Sequence, residues 1–321
     1  MLFALTLLAC EKDAVDDTAI GADWDVELEM DSRGMFMSVW GAASDDVWIV
    51  GGQEDQGLLL RGAPGAWESV ALPDDTPMLT WVSGQAADDV WVAGLGGTLL
   101  HWDGASFTDH SQPIEGAFWG VHPLGDQVLA VGGQFRQIGD GPVMYRMAEG
   151  QWEALDLPSE LSSIESLFKV WRDGEDFVSV GADGVSLRVT PDGQVTGLPS
   201  GSNKDMVTVH SQNGDTLVAV GGRSYGAVWE LDGDTWSQTA ETNAGLSGLW
   251  DVGDGRIVCV GERGIAGIYD RESQSFTENH PFTSQLLHAV WVDDQGTVIA
   301  VGGDFVSDEF TGTLVTSDRL L

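Results

Sequence analysis

Short apolar runs that end in glycine recur along the whole chain. The first is Asp45–Gly52 (DDVWIVGG), and six similar runs follow it, Val90–Gly94, Val128–Gly132, Phe177–Gly181, Leu217–Gly221, Ile257–Gly261 and Val298–Gly302. Their closing glycines stand at positions 51, 94, 132, 181, 221, 261 and 302, so the consecutive spacings are 43, 38, 49, 40, 40 and 41 residues. A period of this length is typical of stacked supersecondary units. The pattern therefore predicts seven units.

Each unit has the pattern of four short antiparallel strands. In the second unit, Thr80–Ser83 precedes an acidic turn, Val90–Ala93 is the run that ends in glycine, and Thr98–Trp102 follows a short loop. Asp103 and Gly104 then lead to an aromatic strand at Phe107, and an Asp-Gly pair between strand-like runs indicates a hairpin. The glycine-closed runs are apolar on both faces, which is typical of strands buried between two sheets. We therefore expect an all-β, seven-bladed β-propeller over residues 23–321.

The two ends of the chain are expected to meet in the last blade. The seventh unit reaches Leu321 without an aromatic fourth strand, whereas Trp24–Met30 alternates apolar and acidic residues. That segment matches the fourth strands that begin at Trp67 and Trp152. The pattern predicts that Trp24–Met30 supplies the missing strand and closes the ring, which removes edges that would template aggregation.

Composition narrows the classes of partner. The 321 residues carry 14 Lys and Arg against 51 Asp and Glu, a formal net charge of −37. Such a surface repels polyanions, so we expect no nucleic-acid partner. The two cysteines, Cys10 and Cys259, lie in a terminal segment and in a buried-type run, so no disulfide framework is expected.

The N-terminus resembles a bacterial lipoprotein signal. An apolar stretch over residues 2–9 ends in Leu7-Leu8-Ala9 directly before Cys10, which is similar to a lipobox, although no Lys or Arg precedes it. The resemblance implies a signal peptide at residues 1–9, a lipidated Cys10 followed by an acidic tether at residues 10–22, and attachment to the bacterial cell envelope. The alternative is an ordinary apolar chain terminus.

The first two repeats resemble those of a known family. The run Val39–Gly51 (VWGAASDDVWIVG) is similar to the W-G-x-S-x-x-D-V-W-x-V-G repeat of surface lipoproteins of social soil bacteria, and Gly94–Gly104 is similar to its continuation. The resemblance implies a propeller at the cell envelope. It transfers no catalytic residue to any position here.

The sequence contains no motif that identifies a reaction or a cofactor. It has no glycine-rich phosphate loop, no His-Glu-x-x-His and no Cys-x-x-Cys, and its six histidines are scattered along the repeats. Paired Asp residues at Asp45-Asp46 and Asp88-Asp89 fit tight turns better than calcium loops. Neither a metal nor a cofactor is expected. Carboxylates near one mouth of the ring, at Glu262, Asp304 and Asp308, leave a glycan hydrolase or lyase as an alternative.

The loops after the closing glycines are the strongest candidates for binding. They emerge on one face of the disc, because the strands alternate direction, and several are longer than a hairpin needs. Arginine and aromatic residues, which dominate protein interfaces, occur there in a chain poor in cations. The candidate residues are Phe135, Arg136, Arg223, Tyr225, Arg263 and Phe305.

These features favour a monomeric, non-catalytic module that binds an envelope or extracellular protein or glycan. A structural surface protein without a ligand is a further alternative.

Overall fold

The computed structural model describes residues 24–139, 141–212, 214, 216–279, 283–304 and 309–319. It consists of seven four-stranded antiparallel sheets, each formed by consecutive strands except the last. The predicted all-β, seven-bladed propeller is therefore confirmed. The predicted signal peptide (1–9), Cys10 and the tether (10–22) lie outside the described residues.

The strands follow the predicted four per blade. The chain begins with β1 (Trp24–Asp31). Blade 1 contains β2 (Met35–Ala43), β3 (Asp46–Gln53), β4 (Gln56–Ala63) and β5 (Ala66–Ser69). Blade 2 contains β6 (Leu79–Ala86), β7 (Asp89–Gly94), β8 (Leu99–Trp102) and β9 (Phe107–Asp109). Blade 3 contains β10 (Ala117–Leu124), β11 (Gln127–Gly133), β12 (Val143–Ala148) and β13 (Gln151–Ala154).

The second half of the ring repeats this order. Blade 4 contains β14 (Leu167–Asp173), β15 (Asp176–Gly181), β16 (Ser186–Val189) and β17 (Val195–Gly197). Blade 5 contains β18 (Met206–His210), β19 (Val218–Gly221), β20 (Ala227–Asp232) and β21 (Thr235–Glu241). Blade 6 contains β22 (Leu246–Asp251), β23 (Arg256–Gly261), β24 (Ala266–Asp270) and β25 (Ser275–Asn279). Blade 7 contains β26 (Leu286–Val292), β27 (Val298–Asp304) and β28 (Thr311–Ser317).

The described helices are three short 3₁₀ turns, at Ser159–Ser163, Ala182–Gly184 and Glu262–Gly264. None of them is long and apolar enough to cross a membrane.

The N-terminal strand closes the ring as predicted. β1 pairs antiparallel with β28, with Trp24 opposite Ser317 and Val26 opposite Val315. Trp24 is 5% exposed and packs in a cluster with residues of blades 6 and 7. The two ends of the described chain thus share one sheet, so the ring is held by backbone pairing as well as by packing.

The core lies between neighbouring blades. The second strand of each blade is buried on both faces, and its apolar residues pack in clusters that join adjacent blades. Trp48, for example, is fully buried on β3 and packs with Leu79 and Val92 of blade 2. This arrangement explains why the glycine-closed runs are apolar without alternation.

The disc has two distinct faces. We call the face with the loops between second and third strands, and with the connections between blades, the loop face. The opposite one, with the turns between first and second strands, is the turn face. Acidic residues of the turn face pair with cations: Arg61 binds Asp46 (Nη2 to Oδ2, 2.8 Å), and Arg188 binds Asp173 (Nη1 to Oδ2, 2.7 Å). These two carboxylates therefore have structural partners.

Candidate functional site

A β-bulge occurs at the same place in the innermost strand of every blade. In β2 the pairing register shifts between Phe36 and Ser38, so Met37 has no partner residue on β3. The same shift occurs in the other six innermost strands. A bulge bends its strand and re-aims a side chain. The seven extra residues are Met37, Thr80, Trp119, Phe168, Val207, Ser247 and His288.

These bulges build a pocket at the centre of the loop face. All of the extra residues except Thr80 line a cavity of about 350 Å³. The other lining residues are Met35, Met78, Phe135, Arg136, Lys169 and Phe310. The walls are mostly apolar, and three methionines supply flexible side chains that can adapt to ligands of different shapes.

The residue after each bulge lies one step deeper, and in blade 4 this residue is Lys169. Its side chain is buried, and its Nζ donates a hydrogen bond to the carbonyl oxygen of Trp119. Nζ also lies 4.2 Å from the centre of the Trp81 ring, a cation–π contact. Burial lowers the pKa of the Lys169 ammonium to about 7. No carboxylate of the described residues forms an ion pair with it.

A ring of side chains closes the channel below this level. Each innermost strand contributes one residue at an equivalent register position: Trp40, Ser83, His122, Trp171, His210, Trp250 and Trp291. The cavity among five of these residues and their neighbours has a volume of about 20 Å³, which is room for about one water molecule. The pocket is therefore a cup that opens towards the loop face.

Histidine and tryptophan alternate through four consecutive blades of this ring, from His122 to Trp250. The ring centres of His122 and Trp171 are 4.1 Å apart, those of Trp171 and His210 are 4.1 Å apart, and those of His210 and Trp250 are 4.2 Å apart. Burial, with a smaller contribution from Arg172, lowers the pKa of His122 to about 3. Burial also lowers the pKa of His210 well below its usual value. Both imidazoles are neutral at physiological pH, as stacked core groups must be.

Two of the predicted binding residues stand at the mouth of the cup. Phe135 and Arg136 belong to a tight hairpin in which Phe135 and Ile138 exchange two backbone hydrogen bonds. Its central residues, Arg136 and Gln137, have φ of 48° and 67°, a left-handed conformation that usually requires glycine or asparagine. Strain of this kind costs about 1–3 kcal/mol per residue and is concentrated at functional sites.

Contacts on either side hold Arg136 across the rim. Its Nη1 donates to Oε2 of Glu54 at 2.8 Å. Its guanidinium carbon lies 5.5 Å from the ring centre of Phe135 and 5.4 Å from that of Phe310. Arginine and aromatic rings thus meet at the edge of the cup, where a ligand entering it would touch both.

The other three described candidates form a second group, on blades 5 and 6. Arg223 pairs with Asp205 (Nε to Oδ2, 2.7 Å), Tyr225 is 67% exposed, and Arg263 donates to the carbonyl oxygen of Asn243. None of them lines the central cup. These three residues lie on the same loop face as Phe135 and Arg136, but outside the lining of the cup. Phe305 lies outside the described residues.

The structure describes two of the three carboxylates of the enzymatic alternative, Glu262 and Asp304. Oε2 of Glu262 accepts hydrogen bonds from the backbone N–H groups of Ser224 (3.2 Å) and Gly245 (3.3 Å), so it ties together the loops of blades 5 and 6. Asp304 ends β27, and Asp308 lies outside the described residues. Within the described ranges, no cluster of three or more His, Cys, Asp or Glu residues is suited to a metal ion.

The sequence reasoning missed the bulge residues and Lys169. A signal was present, because Lys169 interrupts the apolar stretch Leu167–Trp171 at a repeat position where other units have small or apolar residues. Gly120 stands at the equivalent position in β10, and a Cβ there would lie 3.0 Å from Cα of Lys169. That glycine lets β14 approach β10 closely at the depth of the ammonium.

Comparisons with known proteins identify the architecture. No family model matches the chain, and no curated protein matches it. Solved structures do match at low identity. A catalytically inactive virginiamycin B lyase from Staphylococcus aureus with quinupristin has a TM-score of 0.72 at 12% identity, over 91% of this chain and 98% of that one.

Two other propellers are similar to a comparable degree. YCF48 bound to D1 peptide has a TM-score of 0.65 at 13% identity, over 92% of this chain and 96% of that one. The WD40 repeats of RRP9 have a TM-score of 0.68 at 10% identity, over 92% of this chain and 98% of that one. These likenesses establish the fold, and at such identities they establish nothing more.

Proposed function

We propose that this protein is a non-catalytic binding module that captures a polypeptide at the bacterial cell envelope. The partner would dock on the loop face and insert an apolar group into the central cup. The observation that carries the proposal is the cup itself, an apolar cavity of about 350 Å³ at the centre of a rigid ring. Loops on such a scaffold are where recognition is usually located.

The chemistry of the rim supports a polypeptide over a glycan. The cup offers methionine, phenylalanine and tryptophan side chains but few polar groups, whereas a sugar presents many hydroxyls that need partners. Phe135 and Arg136 supply the aromatic and guanidinium groups that most often anchor protein interfaces. YCF48, whose fold is similar, has been solved bound to a peptide, so this architecture is compatible with peptide capture.

The location at the cell envelope is proposed from the sequence. A lipidated Cys10 followed by an acidic tether would hold the ring away from a membrane, with the loop face free to meet other envelope components. We also propose a monomer, because the ring is closed within one chain by the pairing of β1 with β28.

Site-specific photocrosslinking tests the proposal. A benzophenone amino acid at position 135 should crosslink an envelope polypeptide, which mass spectrometry would identify, whereas one at Asp88 on the turn face should not. A synthetic peptide from the crosslinked segment would then be titrated against variants. We expect Arg136→Ala to weaken binding by about 2 kcal/mol, roughly 30-fold, with little change in stability.

Matched variants separate the two groups of candidates. Asp88→Ala on the turn face should leave the affinity unchanged, and Arg223→Ala measures whether blades 5 and 6 contribute. Equal loss of affinity from turn-face and rim variants would contradict the proposal. Turnover of a glycan that Glu262→Gln or Asp304→Asn abolishes would make the protein an enzyme instead.

A further inference from the structure

The floor of the cup holds a cation that no described acid balances. Lys169 is buried on β14 and lines the cavity. An ammonium has three N–H donors. One binds the carbonyl oxygen of Trp119, and the Trp81 ring covers another side. A further donor is left without an acceptor among the described residues.

A buried ammonium in this state is poorly solvated. Removing a charge from water costs several kcal/mol unless a counter-charge and hydrogen bonds replace the lost hydration. The lowered pKa of Lys169, about 7, has burial as its cause. A carboxylate beside Nζ would supply both a counter-charge and an acceptor in a short, charge-assisted hydrogen bond.

The surroundings of Lys169 favour an otherwise apolar ligand. The neighbouring innermost strands contribute Trp119 from β10 and Val207 from β18 to the cavity. The other titratable residues that line it are His288 and Arg136. Burial, together with the charge of Lys169, lowers the pKa of His288 to about 4, so this imidazole is neutral near pH 7. Arg136 stands at the rim, with its guanidinium bound to Glu54.

We propose that the cup binds a small monocarboxylate with an apolar body, with its carboxylate on Nζ of Lys169 and its body against Met37, Phe168 and Phe310. At roughly 30 Å³ for each water-sized group, the cavity of about 350 Å³ has room for about a dozen non-hydrogen atoms. A medium-chain fatty acid has this size and this single charge. The site goes beyond the proposed capture of a polypeptide and does not depend on it.

Titration calorimetry with octanoate and 1-octanol on the full-length protein tests the assignment. The two probes share an alkyl chain and differ in the charged end. At pH 6.5 and 0.15 M salt, we expect octanoate to bind one to one and at least tenfold more tightly than octanol. Lys169→Met should remove this preference while keeping octanol binding, because the cavity and its apolar walls remain. Lys204→Met, which changes a lysine on the outer surface, should keep the preference for octanoate over octanol.

The pH dependence gives a second, variant-free measurement. The free ammonium loses its proton as the pH rises through about 7, whereas the carboxylate complex keeps it. Octanoate affinity should therefore fall by up to tenfold per unit above pH 7, and binding there should take up a proton, measurable as buffer-dependent heat. Octanol affinity should not change.

Equal affinity for octanol and octanoate, or a preference that survives Lys169→Met, would overturn the inference. If Lys169→Met does not fold, the preference of the wild-type protein for octanoate over octanol, and the pH dependence of octanoate affinity, still test the inference. Absence of a crosslinked polypeptide in the photocrosslinking experiment, with the octanoate preference and its pH profile intact, would contradict the proposed function and leave this inference supported.

Discussion

The ladder of stacked histidines and tryptophans should make the ring sensitive to mild acid. His122 is 4% exposed, stacks on Trp171, and has neither imidazole nitrogen hydrogen-bonded to any described group. Its folded pKa is about 3, against 6.5 when exposed. Below pH 6.5 the His122 imidazole therefore binds a proton in the unfolded chain but stays neutral in the folded chain. Protonation stabilises the unfolded state, so the free energy of unfolding decreases as the pH falls from 6.5 towards 3.

The size of the effect follows from these two values. Between pH 7 and pH 5, His122 alone should remove about 2 kcal/mol from the free energy of unfolding. Any folded pKa below about 4 gives nearly the same result at pH 5, because the folded imidazole is then still neutral. His210 is buried in the same ladder and should add a loss of similar sign. Most carboxylates stay ionised in this window, so the histidines dominate it.

His122→Phe isolates this contribution. Phenylalanine keeps an aromatic ring in the stack, cannot titrate, and leaves no buried nitrogen unsatisfied. We expect urea unfolding at pH 7 and pH 5 to show a loss of stability about 2 kcal/mol smaller in the variant than in the wild type. Phe177→Leu, next to His122 and without a proton to bind, should change stability equally at both pH values. An unchanged pH dependence in His122→Phe would refute the assignment of a neutral, buried imidazole.

The other predictions concern closure of the ring by β1, the buried thiol of Cys259 and membrane attachment through Cys10. Trp24→Ala should destabilise the protein by about 3–5 kcal/mol, because it empties a buried site between β1 and blades 6 and 7, whereas Asp25→Ala on the same strand should cost under about 0.5 kcal/mol in urea unfolding; equal costs would contradict closure by β1. Burial raises the pKa of the Cys259 thiol, so native protein should resist thiol reagents and react at the rate of global unfolding; fast labelling of folded protein would contradict this. Cys10→Ser should move the protein from the membrane fraction to the soluble fraction, and unchanged fractionation would count against lipidation.

Much of the fold could be predicted because each repeat contains the apolar strand and the closing glycine that a propeller blade requires. A run such as Val47–Gly51 must be apolar on both faces to lie between two blades, and glycine must follow where backbones cross closely. At Gly51, an added Cβ would lie 1.8 Å from the carbonyl oxygen of Met35. The closing strand was visible too, because Trp24 and Val26 repeat the pattern of other fourth strands. These constraints act locally and recur seven times, so one sequence contains several copies of the same evidence.

The site was harder to predict because it depends on register. Met37, Phe168 and His288 share no residue type, and only the bulges place them at one height. A bulge shifts every later side chain to the opposite face, which an apolar pattern alone does not locate. Trp119 and Trp171 illustrate the difficulty: both stand on innermost strands, but Trp119 is a bulge residue in the wall of the cup, whereas Trp171 belongs to the ring of side chains that closes the channel below it.

The channel has two levels with different roles. We assign stability to the ring of side chains that closes the channel, and recognition to the cup above it. The ring of side chains that closes the channel contains stacked His and Trp side chains whose ring centres lie about 4 Å apart. Its residues are therefore constrained by one another and by the width of the channel. One bulge away, the wall residues face open space, and packing leaves them free to vary from methionine to serine. Packing gives no reason to bury an ammonium at that boundary in a chain with a net charge of −37. An anionic group that enters the cup does give one, since it would reach Lys169 away from the surface carboxylates.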